Sequence, residues 1–370
     1  MIAPKTPRQL GYRMPAEWEP HEATWLAWPH NPEDWPGKFS SIPWLYAEIV
    51  RLLAAHERVH LIVQNASMER RVKSMLSRAG ANLDWVSFHR WPTDRGWTRD
   101  SGPIFVRNAE GQVALTNWRF NGWAKYDDWR LDAKLPSRIE KLLGLPAWRP
   151  FVQNQNSTKC QNQNAAKRCV LEGGSIDTNG AGLLLTTEEC LLSEVQQRNP
   201  GLSREQLERV FSDYLGIDQV IWLGRGIVGD DTHGHVDDIA RFAAPDVILA
   251  AVEPNTSDPN HVPLAENLAR LKAARTPASK QFTVVEVPMP RPVVFRGQRL
   301  PASYANFYIA NGVVLVPTFH DPNDRIALNT FAEVFPDRKV IGVHSVDLIW
   351  GLGALHCMTQ QQPAGLLSKP

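Results

Sequence analysis

Amphipathic helical patterns recur at a nearly constant interval in this chain, and that recurrence limits its fold more than any other feature. Apolar residues spaced three and four apart mark Trp44–Glu57, Ser67–Ala79, Pro136–Leu143, Arg204–Leu215, Pro263–Ala274 and Arg325–Phe335. Pro136 opens the third, while Ser203 with Gln206 forms a capping box before the fourth and Gly216 closes it. Short β-type runs stand on both sides of most helices, among them HLIV, PIFV, GLLLT, QVIWLG, DVILAAV, FTVVEV and KVIGV. From Ser67 onward the helices follow one another about every 60–70 residues, which signals repeated supersecondary units. Five similar α/β units are predicted. No shift in composition divides them, and the Pro-rich VPMPRPVVFRGQRLP reads as a loop between two units, so residues 1–370 are expected to form one domain.

Charge and hydropathy remove several function classes. The chain has 40 Lys and Arg against 39 Asp and Glu, a net charge of +1 with no block of one sign. It lacks the basic surface that nucleic acid or an anionic membrane would need in a partner. Fourteen tryptophans could stack single-stranded bases, but without that surface they read as core aromatics with one or two in a pocket. The longest apolar runs, such as Val247–Val252 and Val313–Val316, fall well short of the roughly 18 residues of a membrane span. Basic residues near the N-terminus have no apolar stretch behind them, so no secretory signal is recognised and a cytoplasmic location is expected.

The four cysteines show no CxxC pair and are too sparse for a disulfide scaffold. Cys190, in LLLTTEECLLS, reads as a buried small hydrophobe. Cys160 and Cys169 bracket a polar stretch that reads as a surface loop, Asn154–Arg168, and a disulfide across it has no support in a reducing compartment. Cys357 differs: it lies in GLGALHCMTQQQP, among glycines that free the backbone, and is the nucleophile candidate. His356 is a poor partner for it, because adjacent side chains point in different directions.

Polar residues concentrate in WTRDSGPIF around Asp100, VLEGGSID around Glu172, GDDTHGHVDDIARF around His235, ASYANFY around Asn306 and GLGALHCMTQQQP around Cys357. These clusters recur with the period of the helices, one to a unit. That is the expectation if each unit brings a strand end to a common centre. In GDDTHGHVDD an extended backbone would turn Asp231, His233, His235 and Asp237 to one side. Two chemistries fit that face: a metal-dependent amidohydrolase site on His233, His235 and Asp237, or proton shuttling by a His beside a carboxylate that holds a cation. Taken singly, Arg99 beside Asp100 reads as a surface ion pair and Glu172 before Gly173 and Gly174 as a turn.

WTRDSGP, LEGG, GHVDD followed by ARF, SYANFYIANGVVLVPTF and GLGALHCMTQQQP, in that order, resemble the agmatine deiminase and bacterial-type peptidylarginine deiminase family over nearly the whole chain. The resemblance implies a pentein fold, a five-bladed α/β propeller with pseudo-fivefold symmetry around a central active site, and neither a metal nor an organic cofactor. It places the nucleophile on Cys357, the general acid/base on His235 and a third catalytic group on Glu172. Asp100 and Asp237 match two carboxylates that grip a guanidinium, whose planar, paired N–H donors suit bidentate carboxylates. Trp97 would lie over that cation, and Asn306 counts among the substrate-binding residues. The implied reaction is deimination of a small guanidino substrate, agmatine first, with another guanidino compound or peptidyl arginine as alternatives. A catalytically silent guanidino-binding protein is the reading that needs no thiol. Oligomeric state is open, a homodimer included. Many agmatine-specific members resemble FNAWGG where this chain has FNGWAKYDDW, and there Asp127 and Asp128 are expected to meet the far ammonium of agmatine, with Lys125 opposing them.

Overall fold

A computed structural model describes residues 5–152 and 168–367; the expected loop before Arg168, with Cys160, lies outside the described residues. The chain opens with His21–Ala27 (β1), Ile42–Leu53 (α1), Arg58–Val63 (β2), Ala66–Arg78 (α2) and Val86–Arg90 (β3). After a single helical turn, Thr98–Ser101 (α3), come Ile104–Arg107 (β4), Gln112–Thr116 (β5), Leu135–Leu143 (α4) and Ala147–Trp148 (β6). A third group comprises Asp177–Thr178 (β7), Leu183–Thr187 (β8), Glu188–Leu192 (α5), Arg204–Leu215 (α6) and Gln219–Leu223 (β9). Ala240–Ala244 (β10), Val247–Val252 (β11), His261–Ala273 (α7) and Thr283–Pro288 (β12) form the fourth, followed by a small hairpin, Val294–Phe295 (β13) and Gln298–Arg299 (β14). Tyr308–Ala310 (β15), Val313–Thr318 (β16), Asn323–Val334 (α8) and Lys339–His344 (β17) form the fifth, and Gln360–Pro363 (β18) and Leu366–Leu367 (β19) end the described chain.

One pairing rule repeats five times. An antiparallel pair is followed by a helix and then a strand parallel to the second: β4–β5–β6, β7–β8–β9, β10–β11–β12 and β15–β16–β17. The remaining blade is assembled from both ends of the chain. β18 pairs antiparallel with β1, with Trp25 opposite Gln360, and β2 lies parallel to β1. This is the pentein propeller, five ββαβ blades around a centre.

The helix count from Ser67 needs one correction. The helix of the first blade is α1, and α2 with β3 is an added βα extension beside β2. The antiparallel strand that defines this blade comes from residues 360–363, so local periodicity could not separate α1 from α2.

Local chemistry explains the elements. Ser203 and Gln206 cap α6 reciprocally, and Gly216 ends it at φ 70°, a conformation costly for other residues. The inner face of α6 buries Leu207, Val210, Phe211, Tyr214 and Leu215, each contributing about 1.5–3 kcal/mol by leaving water. β16, VVLVPT, is buried along nearly its whole length, as a strand covered on both faces must be. Apolar packing lies between strands and helices, whereas the segments leading into β4, β7, β10, β15 and β18 carry Asp100, Glu172, His235, Asn306 and Cys357, all buried. Among the described residues no helix is long and apolar enough to cross a membrane.

Candidate active site

Each of these five segments is irregular for an identifiable reason. Asp100 rides on α3, which Gly102 ends where a Cβ would lie 2.5 Å from the Thr98 carbonyl. In LEGG, a Cβ on Gly174 would meet His235 Nδ1 at 2.6 Å, Asp100 Oδ1 at 2.8 Å and Asp237 Oδ2 at 3.0 Å, so only glycine lets the backbone approach all three. Before His235 the chain turns through His233 at φ 64° and Gly234 at φ 91°, held by Asp230 Oδ2, which accepts from Gly234 N (2.6 Å) and His235 N (3.1 Å).

The side chains converge. Asp100 Oδ1 accepts from Gly174 N at 3.0 Å, and its Oδ2 accepts from Trp123 Nε1 at 2.8 Å. His235 lies between carboxylates, with Nδ1 3.9 Å from Asp100 and 4.0 Å from Asp237, and Nε2 3.8 Å from Glu172. The Cys357 thiol is 3.7 Å from Asp237 Oδ2 and 3.1 Å from Asn306 Nδ2, which also donates to Asp238 Oδ1 at 2.9 Å. Asn306 Oδ1 accepts from the backbone N–H groups of His356 and Cys357, at 3.0 and 3.3 Å, fixing the loop that presents the sulfur. Among the described residues, both ring nitrogens of His235 and the Oδ1 of Asp237 are buried without a hydrogen-bond partner.

Burial opposes every charge here, and the neighbours decide each outcome. Burial works against the Glu172 carboxylate, but the Arg198 guanidinium and then His235 hold it down to about 2. Burial also works against cationic His235, yet Asp100, then Cys190 and Glu172, lift it well above the usual histidine range. Asp100 is raised by burial, partly offset by His235. The Cys357 thiol is pushed well up, by burial first and then by Asp237, Asp238 and Asp100.

Above these groups opens a cavity of about 200 Å³, lined by Cys357, Asp100, Trp97, Trp123 and, farther along, Glu33, Asp34, Arg95, Tyr126 and Asp231. Residues 13–363 match the family model described as Porphyromonas-type peptidyl-arginine deiminase. The chain belongs to that family. It is 34% identical to the agmatine deiminase of Ectopseudomonas mendocina, with 97% of each chain covered. Among solved structures, an agmatine deiminase of Enterococcus faecalis described as catalysing its reaction superposes with a TM-score of 0.86 at 30% identity over 98% of each chain. An agmatine deiminase of C. jejuni with substrate bound gives 0.82 at 29% identity over 96% of this chain and 97% of that one.

Within this member of the family, GDDTHGHVDD is not an extended strand, and the parity reading fails. His233 turns away to Ser193 Oγ (3.1 Å), and Asp231 is engaged by Lys125 and by Tyr126 Oη (2.5 Å). The metal trio His233, His235 and Asp237 is therefore not assembled. Among the described residues, the group whose donor atoms do converge is Glu172, Cys190 and His235, all within 4.8 Å of one another. Arg198 Nε, 3.1 Å from Glu172 Oε1, sets a fixed cation on one of these donors and competes with a metal ion for it. Cys190 is buried as expected but adjoins His235, so it is more than a packing residue.

Asp127 and Asp128 do not line the cavity. Asp127 is exposed, and Asp128 accepts from Arg95 at 3.1 Å. Arg99 is no surface ion pair: it is buried, and its partners are Glu17 (3.0 Å) and Gln361 (2.5 Å). Glu17, Arg198, Arg241 and Trp123 also belong to this centre, and sequence reasoning did not single them out; His356, set aside as a partner for Cys357, bonds instead to Asp237 and Glu17. The one signal available was the FNGW stretch, whose Trp123 sits at φ 57° to reach Asp100.

Proposed function

We propose that this protein is an agmatine deiminase, a hydrolase of linear amidines that converts agmatine and water to N-carbamoylputrescine and ammonia. The observation that carries the reading is a pair of buried carboxylates beside a thiol: Asp100 lines the cavity with Cys357, and Asp237, 3.7 Å from the sulfur, keeps an unpartnered oxygen, Oδ1. A buried lone acceptor calls for a donor-rich cation, and a guanidinium supplies paired N–H groups with its carbon in front of the sulfur. The relatives named agmatine deiminase support this choice of substrate. A cavity of about 200 Å³ suits a small molecule better than a folded peptide segment.

The chemistry then follows from the residues. Bound between Asp100 and Asp237, with Trp97 and Trp123 as walls, the guanidinium offsets the carboxylates that hold Cys357 as a thiol. With that opposition offset, the thiol releases its proton to solvent, and the thiolate, supported by Asn306 Nδ2–H, attacks the guanidinium carbon to give a neutral tetrahedral adduct. Cationic His235 gives a proton to one nitrogen, ammonia leaves, and an amidino-thioether cation remains. His235, now neutral, takes a proton from the attacking water, and collapse of the hydroxyl adduct passes its O–H proton to the departing sulfur, leaving the ureido product and the resting Cys357 thiol. Glu172, kept ionised by Arg198, orients His235 and stabilises its charge. Residues 1–370 act as one catalytic domain, supported by the closure of the first blade by β18. The reactive thiol suits the reducing cytoplasm.

Ammonia and the ureido product should form from agmatine, and Cys357→Ala should abolish both while leaving agmatine binding measurable by calorimetry. Near-full turnover by Cys357→Ala would overturn the mechanism.

A further inference from the structure

Beneath the site lies a second layer of charge that the proposed chemistry does not use. His356 is buried, with Nδ1 2.7 Å from Asp237 Oδ2 and Nε2 2.8 Å from Glu17 Oε2. Two carboxylate oxygens face the two ring nitrogens, so the ring is pinned at both ends. Glu17 is itself anchored: it accepts from Arg99 Nη2 (3.0 Å) and the backbone N–H of Ile309 (2.9 Å), and the Arg241 guanidinium forms an ion pair with it, Nη2 standing 2.7 Å from Oε1. His356 N is tied to Asn306 Oδ1 at 3.0 Å, so backbone and ring are fixed together. The consequence falls on Asp237. Its Oδ2 is taken by His356, and its Oδ1 is the oxygen left buried and unpartnered.

We infer that His356 is a positioning residue for substrate: held against Glu17, it fixes the rotation of Asp237 so that one oxygen, Oδ1, is presented to the guanidinium. The inference rests on the deiminase reading above and adds to it a residue that never touches substrate. A carboxylate free to rotate would present its two oxygens to the cation and to the thiol in turn, whereas one already bound at Oδ2 offers a single, preset acceptor.

The two amide substitutions separate the two ends of the ring. An Asn amide nitrogen falls near the position of Nδ1 and can keep the bond to Asp237; a Gln amide nitrogen falls near Nε2 and keeps only the bond to Glu17. His356→Gln should raise KM for agmatine about tenfold with a smaller change in kcat, the loss of one hydrogen bond to a charged group, whereas His356→Asn should stay within about threefold of wild type. Loss of packing alone would not order the two variants this way. Melting temperatures confirm that each is folded. If His356→Gln does not fold, His356→Asn carries the test: near-wild-type KM supports the inference, and a tenfold rise overturns it. A KM for folded His356→Gln within threefold of wild type, or equal rises in both variants, also overturns it. Wild-type turnover is measured first on agmatine, arginine and an arginine peptide, and the variants are compared on whichever is the best substrate. A wild type inactive on all three overturns the deiminase reading and this inference together; an active wild type with the wrong variant order overturns the inference alone.

Discussion

The Cys357 thiol lies 3.7 Å from Asp237 Oδ2, close enough to donate to it. Burial opposes the thiolate first, and Asp237, Asp238 and Asp100 add to it, so the resting protein holds Cys357 protonated. Uncharged iodoacetamide should therefore label the Cys357 peptide slowly, at a rate still climbing above about pH 8.5, the ordinary titration point of a free thiol. Asp237→Asn should speed labelling at the same pH, because one opposing charge is gone. A wild-type rate that has levelled off by about pH 8 contradicts the electrostatic argument.

Trp123 offers a test of the other carboxylate. Its indole N–H is 2.8 Å from Asp100 Oδ2 and favours the ionised form that burial opposes. Trp123→Phe keeps a ring for the edge-on contacts with Phe120 and Tyr126 but deletes that donor. KM for agmatine should rise about tenfold, in line with a hydrogen bond to a charged group worth roughly 1.5–3 kcal/mol, with the melting temperature little changed. An unaltered KM in steady-state assays removes the role assigned to this bond.

Much of this centre was legible because each blade announces its polar segment at the same place, just ahead of its first strand. Asp100, Glu172, His235, Asn306 and Cys357 could be found in that way. What stayed hidden has a common physical cause. Glu17 meets His356 across 339 positions, Arg198 meets Glu172 through a turn, and β18 reaches β1 from the far end of the chain. A buried ion pair leaves no periodic trace, and a lone Arg or Glu reads as surface until its partner is seen. GDDTHGHVDD misled for the opposite reason. Alternation suggested a strand, but Asp230 bonds its own downstream N–H groups and bends the chain through Gly234, sending Asp231 and His233 away from His235.

Arg198 should be essential to the fold as well as to the site. Its side chain is wholly buried, with Nε on Glu172 at 3.1 Å and Nη2 on the Thr232 carbonyl at 2.6 Å. Arg198→Met leaves a buried carboxylate uncompensated and should cost about 3–5 kcal/mol in urea unfolding at neutral pH, much of it recovered by adding Glu172→Gln. The pH dependence has a definite sign. Glu172 titrates near 2 when folded and near its ordinary value, about 4.3, when unfolded, so its contribution is complete above about pH 5 and fades as the pH falls towards 2. Glu172→Gln should flatten that part of the stability profile, and an unchanged acid limb counts against the assignment.

Specificity should be set by the far part of the cavity, where Glu33, Asp34 and Asp231 face the substrate's tail and Arg95 is the cation among them. Arg95 is already committed, with Nη1 2.7 Å from Asp34 and Nη2 3.1 Å from Asp128, so among the described residues lining the cavity no free cation awaits the carboxylate of arginine. Agmatine, which lacks that carboxylate, should win by a wide margin in kcat/KM. Burial, eased by Arg95 and reinforced by Asp128, raises Asp34 to about 7, so it is neutral at lower pH and becomes an anion as the pH rises. The ratio of kcat/KM for agmatine to that for arginine should therefore grow between about pH 6 and pH 8, since steps common to both substrates cancel. Asp34→Asn should flatten the ratio across that range and lower it at the alkaline end, while Glu33→Gln, at an exposed position, should change it only a few-fold. A ratio independent of pH in the wild type removes Asp34 from the account, and equal or better turnover of arginine reverses the preference while leaving the chemistry at Cys357 intact.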